Sequence, residues 1–289
     1  MNEWKIGILG GSGLYEIEGL EDAQWIEVAT PWGAPSDALL IGRLHGAKFV
    51  FLPRHGRGHR IPPSQVNSRA NIDALKRVGC TDVVAISAVG SLREELEPGR
   101  FVVADQFVDR TFARESSFFG PGLVAHVSMA DPVCPRLSAL IADAAERAGA
   151  AVTRGGTYLA MEGPQFSTRA ESDLYRQWGC DVIGMTAMPE AKLAREAELP
   201  YALVGMVTDY DCWRRGEEAV EVAGIVAQLT ANAATARRTV EELAKTLTDA
   251  RAASPIDTVL DTAIITAPES RDAAMTGKLN VVCARVLRR

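Results

Sequence analysis

The residues best suited to chemistry in this sequence stand at the ends of short apolar runs. In VGMVTDYDCW (204 to 213) such a run delivers Asp209 and Asp211, and a spacing of two points both toward one side of a strand. Carboxylates drawn out of water hold their protons to higher pH, which suits a general acid. In GGSG (10 to 13), Ser12 adds a hydroxyl to glycines whose N–H groups can turn inward as an anion nest. LPRHGRGHR (52 to 60) sets Arg54 and His55 just beyond another run, where a guanidinium can grip phosphate bidentately. ISAVGSL (86 to 92) and GMTAMPE (184 to 190) contribute the hydroxyls of Ser87 and Thr186. MEGPQFSTRAE (161 to 171) offers Phe166 as a flat surface for a planar base.

Each feature also has a plainer use. Paired acids serve as caps or metal ligands, glycines as turns, Thr186 and either Ser167 or Thr168 as helix caps, Met185 and Phe166 as core. Glu190 suits the first turn of the helix that Pro189 opens. Two cofactor readings fail outright. A dinucleotide fingerprint starting at Gly11 breaks at Glu16, and a triphosphate loop lacks its lysine, since none lies between Lys5 and Lys48. His55 and His59 have zinc-helix spacing, but Gly and Arg fill the gap with no glutamate, so no metal is expected. What remains for the glycine loop is a nest for a small inorganic anion, or a tight strand-to-loop turn whose glycines serve only backbone geometry.

The elements that must position these groups follow from periodicity. Apolar runs at 5–9, 48–52, 82–87, 101–104, 181–185 and 201–207 predict buried strands, and 64–79, 134–150, 167–179 and 188–199 carry helical spacing. Their alternation predicts an α/β fold. A long amphipathic helix is expected over 217–252, and 111–131 reads as a surface loop. No linker or repeat divides the 289 residues, so one domain is expected, with 253–289 as a variable C-terminal segment.

Composition sets outer bounds. A hydrophobic content of 47% supports a full core, and a net charge of -6 disfavours a protein that coats nucleic acid or an anionic membrane. No apolar run approaches the roughly 18 residues of a membrane span, and no leader pattern opens the chain, so a cytoplasmic protein is expected. The five cysteines are scattered without a C-x-x-C pair, which excludes a disulfide framework or structural zinc.

Taken in order, GGSGLY, PRHGRGH, GSLREELEPG, DQFVDRT, EGPQFSTRAES, MTAMPE and TDYDCW resemble the trimeric purine nucleoside phosphorylase family, in its branch acting on methylthioadenosine. The resemblance runs from the opening loop to about Leu229. It implies a phosphorylase/hydrolase-like α/β fold with a mixed, partly barrel-like sheet flanked by helices. The implied reaction is attack of phosphate on C1′ of a purine nucleoside, with phosphate as co-substrate and neither metal nor redox cofactor. A homotrimer is implied, or a hexamer.

By the same resemblance phosphate would meet Ser12, Arg54, His55, Ser87 and Thr186, with Ala88 lining the site and Met185 at the ribose hydroxyls. The base would meet Phe166, Ser167, Asp209 and Asp211, and the aspartate at 209 implies a 6-aminopurine. The 5′ group would meet His126, Val222 and Ile225, partly across a subunit boundary. Close relatives often carry threonine where Ser12 and Ser87 stand, and an arginine where Gln165 stands. A 6-oxopurine or methylthioinosine substrate is the alternative within the family. A non-enzymatic nucleoside or phosphate-binding module is the alternative outside it.

Overall fold

The computed structural model describes residues 3–11, 13–214, 222–247 and 250–287. Eleven strands among them form one sheet: β1 (Lys5–Gly10), β2 (Glu21–Ile26), β3 (Leu39–Leu44), β4 (Ala47–Pro53), β5 (Asp82–Ser91), β6 (Phe101–Ala104), β7 (Gln106–Arg110), β8 (Val152–Arg154), β9 (Thr157–Met161), β10 (Val182–Gly184) and β11 (Tyr201–Asp209). Five main helices accompany them: α1 (Ser68–Arg77), α2 (Pro135–Arg147), α3 (Arg169–Gln177), α4 (Ala187–Glu196) and α5 (Val222–Thr246).

The central strands are apolar throughout because both their faces are covered. Along β4 and β5, side chains alternate between two cores. Val50, Leu52, Val83 and Ala85 face one that also holds Ile72 and Leu75 of α1 and Leu193 of α4. Phe49, Phe51, Val84 and Ile86 face the other, with Leu137 and Ile141 of α2 and Val240 and Leu243 of α5.

β5 organises the sheet. Its first half pairs with β1 in parallel, its end pairs with β10 antiparallel, and nearly its whole length pairs with β11 in parallel. From β11 the ladder passes to β6, then to β8, through Gly155 and Gly156 into β9, and by β10 back to β5. β6 and β7 run on through Asp105, keeping one register against β8 and β9. The ring therefore closes, and the expected barrel-like portion is this closed part. β4, β3 and β2 extend outward from β1, and β2 is exposed, with a register slip between Glu21 and Gln24.

Residues 111–131 form a loop without helix or strand, mostly exposed or half-buried as expected, and it is anchored: Phe118 and Leu123 are fully buried, and Glu196 accepts from the Ser117 hydroxyl (2.7 Å) and the Phe118 N–H (2.6 Å). One expectation needs correction. The helix expected over 217–252 ends at Thr246, and 217–221 lie outside the described residues. The segment beyond 252 packs into the molecule, with Leu260, Ala263, Leu279, Val282 and Cys283 in the first core. Among the described residues no helix is long and apolar enough to cross a membrane.

Candidate active site

The carboxyl ends of β4, β9, β10 and β11, together with the middle and end of β5, supply the described groups singled out by sequence. Ser87, within β5 four residues before its end, and Thr186, just past β10, are 99 residues apart, and their hydroxyls meet at 2.8 Å. Thr186 sits at the N-cap position of α4, yet its side chain makes no capping bond. The hydroxyl instead faces Ser87, while its peptide N–H donates to the Tyr158 hydroxyl (3.3 Å). Gly184 is required there, because a Cβ would overlap that hydroxyl.

Arg54 follows β4 and is 2% exposed. Its Nε and Nη2 form a fork onto Glu190, and Nη2 and Nη1 also donate to the carbonyls of Leu9 (3.1 Å) and Ile86 (3.2 Å). These bonds tie the end of β4 to the end of β1 and the middle of β5, and leave one Nη1 hydrogen of the five N–H groups. Glu190, expected only as a first-turn acid, is the buried counter-ion, and Tyr201 donates to it as well (3.3 Å).

His55 stacks on His59 at 4.4 Å, and its Nδ1 lies 2.9 Å from the Ile61 carbonyl. A carbonyl only accepts, so Nδ1 carries the proton and Nε2 is left as an acceptor. Burial, with the Arg54 charge adding to it, pushes the His55 pKa down to about 4. Since the unfolded chain binds this proton at higher pH than the folded one, stability is lost as pH falls from about 6.5 toward 4. Denaturation of wild type and His55→Asn at pH 7 and pH 5 should show wild type losing more stability across that interval; equal losses would contradict it.

The two acids occupy a different arrangement from the one expected. β11 slips register after Val207 and ends at Asp209, and Asp211 lies in the following turn with φ 51°. Strand alternation therefore does not govern Asp211; a side-chain turn does, in which Asp211 N–H donates to Asp209 Oδ1 (2.8 Å). Asp209 Oδ2 accepts from the Thr208 hydroxyl (2.7 Å). Burial raises the pKa of both acids, and for Asp211 the nearby Asp209 charge adds to it. Asp211 Oδ2 is buried without a partner among the described residues. Both acids lie over Gly90, whose missing Cβ would stand 3.1 Å from Asp209 Oδ1 and 3.4 Å from Asp211 Cβ.

The remaining candidates divide. Ala88, Met185 and Ser167 are half-buried near these strand ends, and Ser167 accepts from the Cys212 thiol through its carbonyl (3.2 Å). Phe166 is 50% exposed and so has a face available. Of the two expected residues, Thr168 caps α3, forming a reciprocal box with Glu171. His126 is exposed, and its backbone N–H donates to the Ala263 carbonyl (3.0 Å), which ties its main chain to the C-terminal segment. Ser12 lies outside the described residues, as do the side chains of Val222 and Ile225. Among the described residues no cluster of three or more His, Cys, Asp or Glu is arranged for a metal.

The stations along β5 define what the site can hold. From Ser87 to Gly90 is three residues, or roughly 10 Å of strand at about 3.3 Å each. An anion at the hydroxyls and a base at the acids would leave room for a sugar between them. The model of the Phosphorylase superfamily matches residues 5–248. This chain belongs to that superfamily. S-methyl-5'-thioadenosine phosphorylase of Cereibacter sphaeroides is 59% identical over 98% of each chain, and that of Bradyrhizobium diazoefficiens is 57% identical over all of both. Among solved structures, a methylthioadenosine phosphorylase from an antarctic soil metagenomic library matches with a TM-score of 0.92 at 44% identity, over 98% of this chain and 99% of its own. A mutant adenosine/methylthioadenosine phosphorylase of Schistosoma mansoni, in complex with adenine, matches with a TM-score of 0.80 at 40% identity, over 84% and 91%. As a superfamily member, this phosphorylase draws its strand-end groups from β4, β5, β10 and β11, all within the matched span.

Proposed function

We propose that this chain catalyses phosphorolysis of S-methyl-5'-thioadenosine to adenine and 5-methylthioribose 1-phosphate. The observation that carries the reading is the placement of a hydroxyl pair and two half-buried acids at separate stations along β5. Phosphate would accept from Ser87, Thr186 and the remaining Arg54 Nη1–H, with Ser12 supplying a further hydroxyl. His55, neutral with Nε2 as acceptor, suits the P–OH of monoprotonated phosphate.

A phosphate oxygen forms the new bond to C1′ as the bond to N9 breaks, and the electron pair leaves with the base. Positive charge grows on the ribosyl ring and is met by phosphate; negative charge grows on the purine and is met by a proton from Asp209 to N7. Asp211, with one oxygen unpartnered, would accept from the 6-amino group. Phe166 and Ser167 would flank the base, Ala88 and Met185 the sugar, and His126, Val222 and Ile225 the methylthio group. The reading includes a homotrimer acting in the cytoplasm, with phosphate as co-substrate and no other cofactor.

Product analysis with and without phosphate on methylthioadenosine, adenosine, methylthioinosine and inosine tests this. Adenine release from methylthioadenosine, dependent on phosphate, is the expected result. Preferred release of hypoxanthine would move the substrate to a 6-oxopurine, and nucleoside binding without turnover would make the chain a binding module.

A further inference from the structure

Arg114 belongs to the 111–131 segment, yet its guanidinium reaches the strand ends and gives every N–H to the protein. Nε donates to Glu162 Oε1 (3.1 Å), Nη1 to the carbonyls of Met185 (2.6 Å) and Met188 (2.7 Å), and Nη2 to those of Met161 (3.3 Å) and Glu162. A guanidinium has five donors and no acceptor, so none remains for an anion. The side chain is 7% exposed. Glu162 is equally occupied, since its Oε2 accepts from the backbone N–H groups of Phe112 (2.8 Å) and Ala113 (3.2 Å). Burial acts to raise the Glu162 pKa, but the N–H bonds from Phe112 and Ala113 and the Arg114 contact outweigh it and bring it to about 2. The ion pair therefore persists at any working pH.

The carbonyls so gathered belong to the end of β9, the end of β10 and the start of α4. Thr186 lies between two of them, in a stretch that regular structure does not secure: Met188 is extended (φ -115°, ψ 136°) inside α4, and Thr186 makes no cap. Asp209 and Asp211, by contrast, hold each other through their own turn. We propose that Arg114, fixed by Glu162, is a positioning residue that sets the Met185–Met188 stretch, and with it the Thr186 hydroxyl, for phosphate and ribose without touching either. This rests on the phosphorolysis reading above.

The test compares Arg114→Lys, Arg114→Ala and Glu162→Gln with wild type, measuring kcat and KM for phosphate and for methylthioadenosine, adenine affinity by titration, and thermal unfolding. A misplacement of about 1 Å can cost about 10²-fold, so kcat/KM for phosphate should fall by that order in Arg114→Ala. Adenine affinity should hold, and low millimolar guanidinium should restore part of the Arg114→Ala turnover. Folded variants with wild-type kcat/KM for phosphate, or with adenine affinity lost in proportion, would overturn the positioning role. If Arg114→Ala does not fold, Glu162→Gln and Arg114→Lys give the same comparison. Wild type showing no phosphate-dependent turnover would overturn the phosphorolysis reading and this role together, whereas active wild type with unaffected variants would overturn this role alone.

Discussion

Asp209→Asn is expected to lower kcat for methylthioadenosine by about 10²- to 10⁴-fold, the range that general acid assistance contributes. The substitution keeps the side chain's shape and one acceptor oxygen for the Thr208 hydroxyl or the Asp211 N–H, so the turn should survive. What is lost is the ability to deliver a proton to N7 as the base departs. Burial raises the Asp209 pKa, which keeps more of the acid form present toward neutral pH. The sign of the pH effect follows: a general acid works while protonated, so wild-type kcat should fall as pH rises through this raised pKa, and the variant should lack that limb. A variant with undiminished kcat, or one retaining the wild-type limb, would remove Asp209 from the acid role.

Glu190→Ala should be the most destabilising single change at the site, by about 3–5 kcal/mol, because it leaves the Arg54 charge buried without its counter-ion. That is a large part of the roughly 5–15 kcal/mol that folded domains possess. Glu190→Gln keeps volume and one acceptor and should lose less. In both, the guanidinium loses its fork onto α4 and is no longer held in place, so KM for phosphate should rise more than KM for the nucleoside. Denaturant unfolding followed by paired KM measurements checks both parts. Unchanged stability in the alanine variant would mean that Arg54 finds other partners or water.

The architecture was legible where burial made strands uniformly apolar: β1, β4, β5, β6, β10 and β11 all fall on the expected runs. β2 escaped because an exposed strand reading EDAQWI has no apolar run to detect, and β3 because Gly42 and Arg43 cut short the run in LLIGRL. β7, β8 and β9 escaped because the long strands carrying them are broken in sequence by Asp105 and by Gly155 and Gly156, although their register continues across the breaks. At the site, Ser87, Thr186, Arg54 and the two acids announced themselves by standing at or just past the ends of apolar runs, although β5 itself continues to Ser91. Glu190 and Arg114 did not. A glutamate in a first helical turn and an arginine in a loop look solvated, and nothing local reveals that one meets Arg54 across 136 positions and the other gathers carbonyls 71 and 74 positions away. Glu162 is hidden likewise, since EGP reads as a turn.

β2 has one further consequence. A strand bonded on one side only offers its free backbone groups as a template for another chain. Here that outer strand carries Glu21 and Asp22 side by side, and the register slip with a positive φ at Asp22 twists its start away from a straight ladder. A second molecule approaching to extend the sheet would meet like charges and mismatched spacing. Sheet-to-sheet aggregation is thereby discouraged at this edge strand.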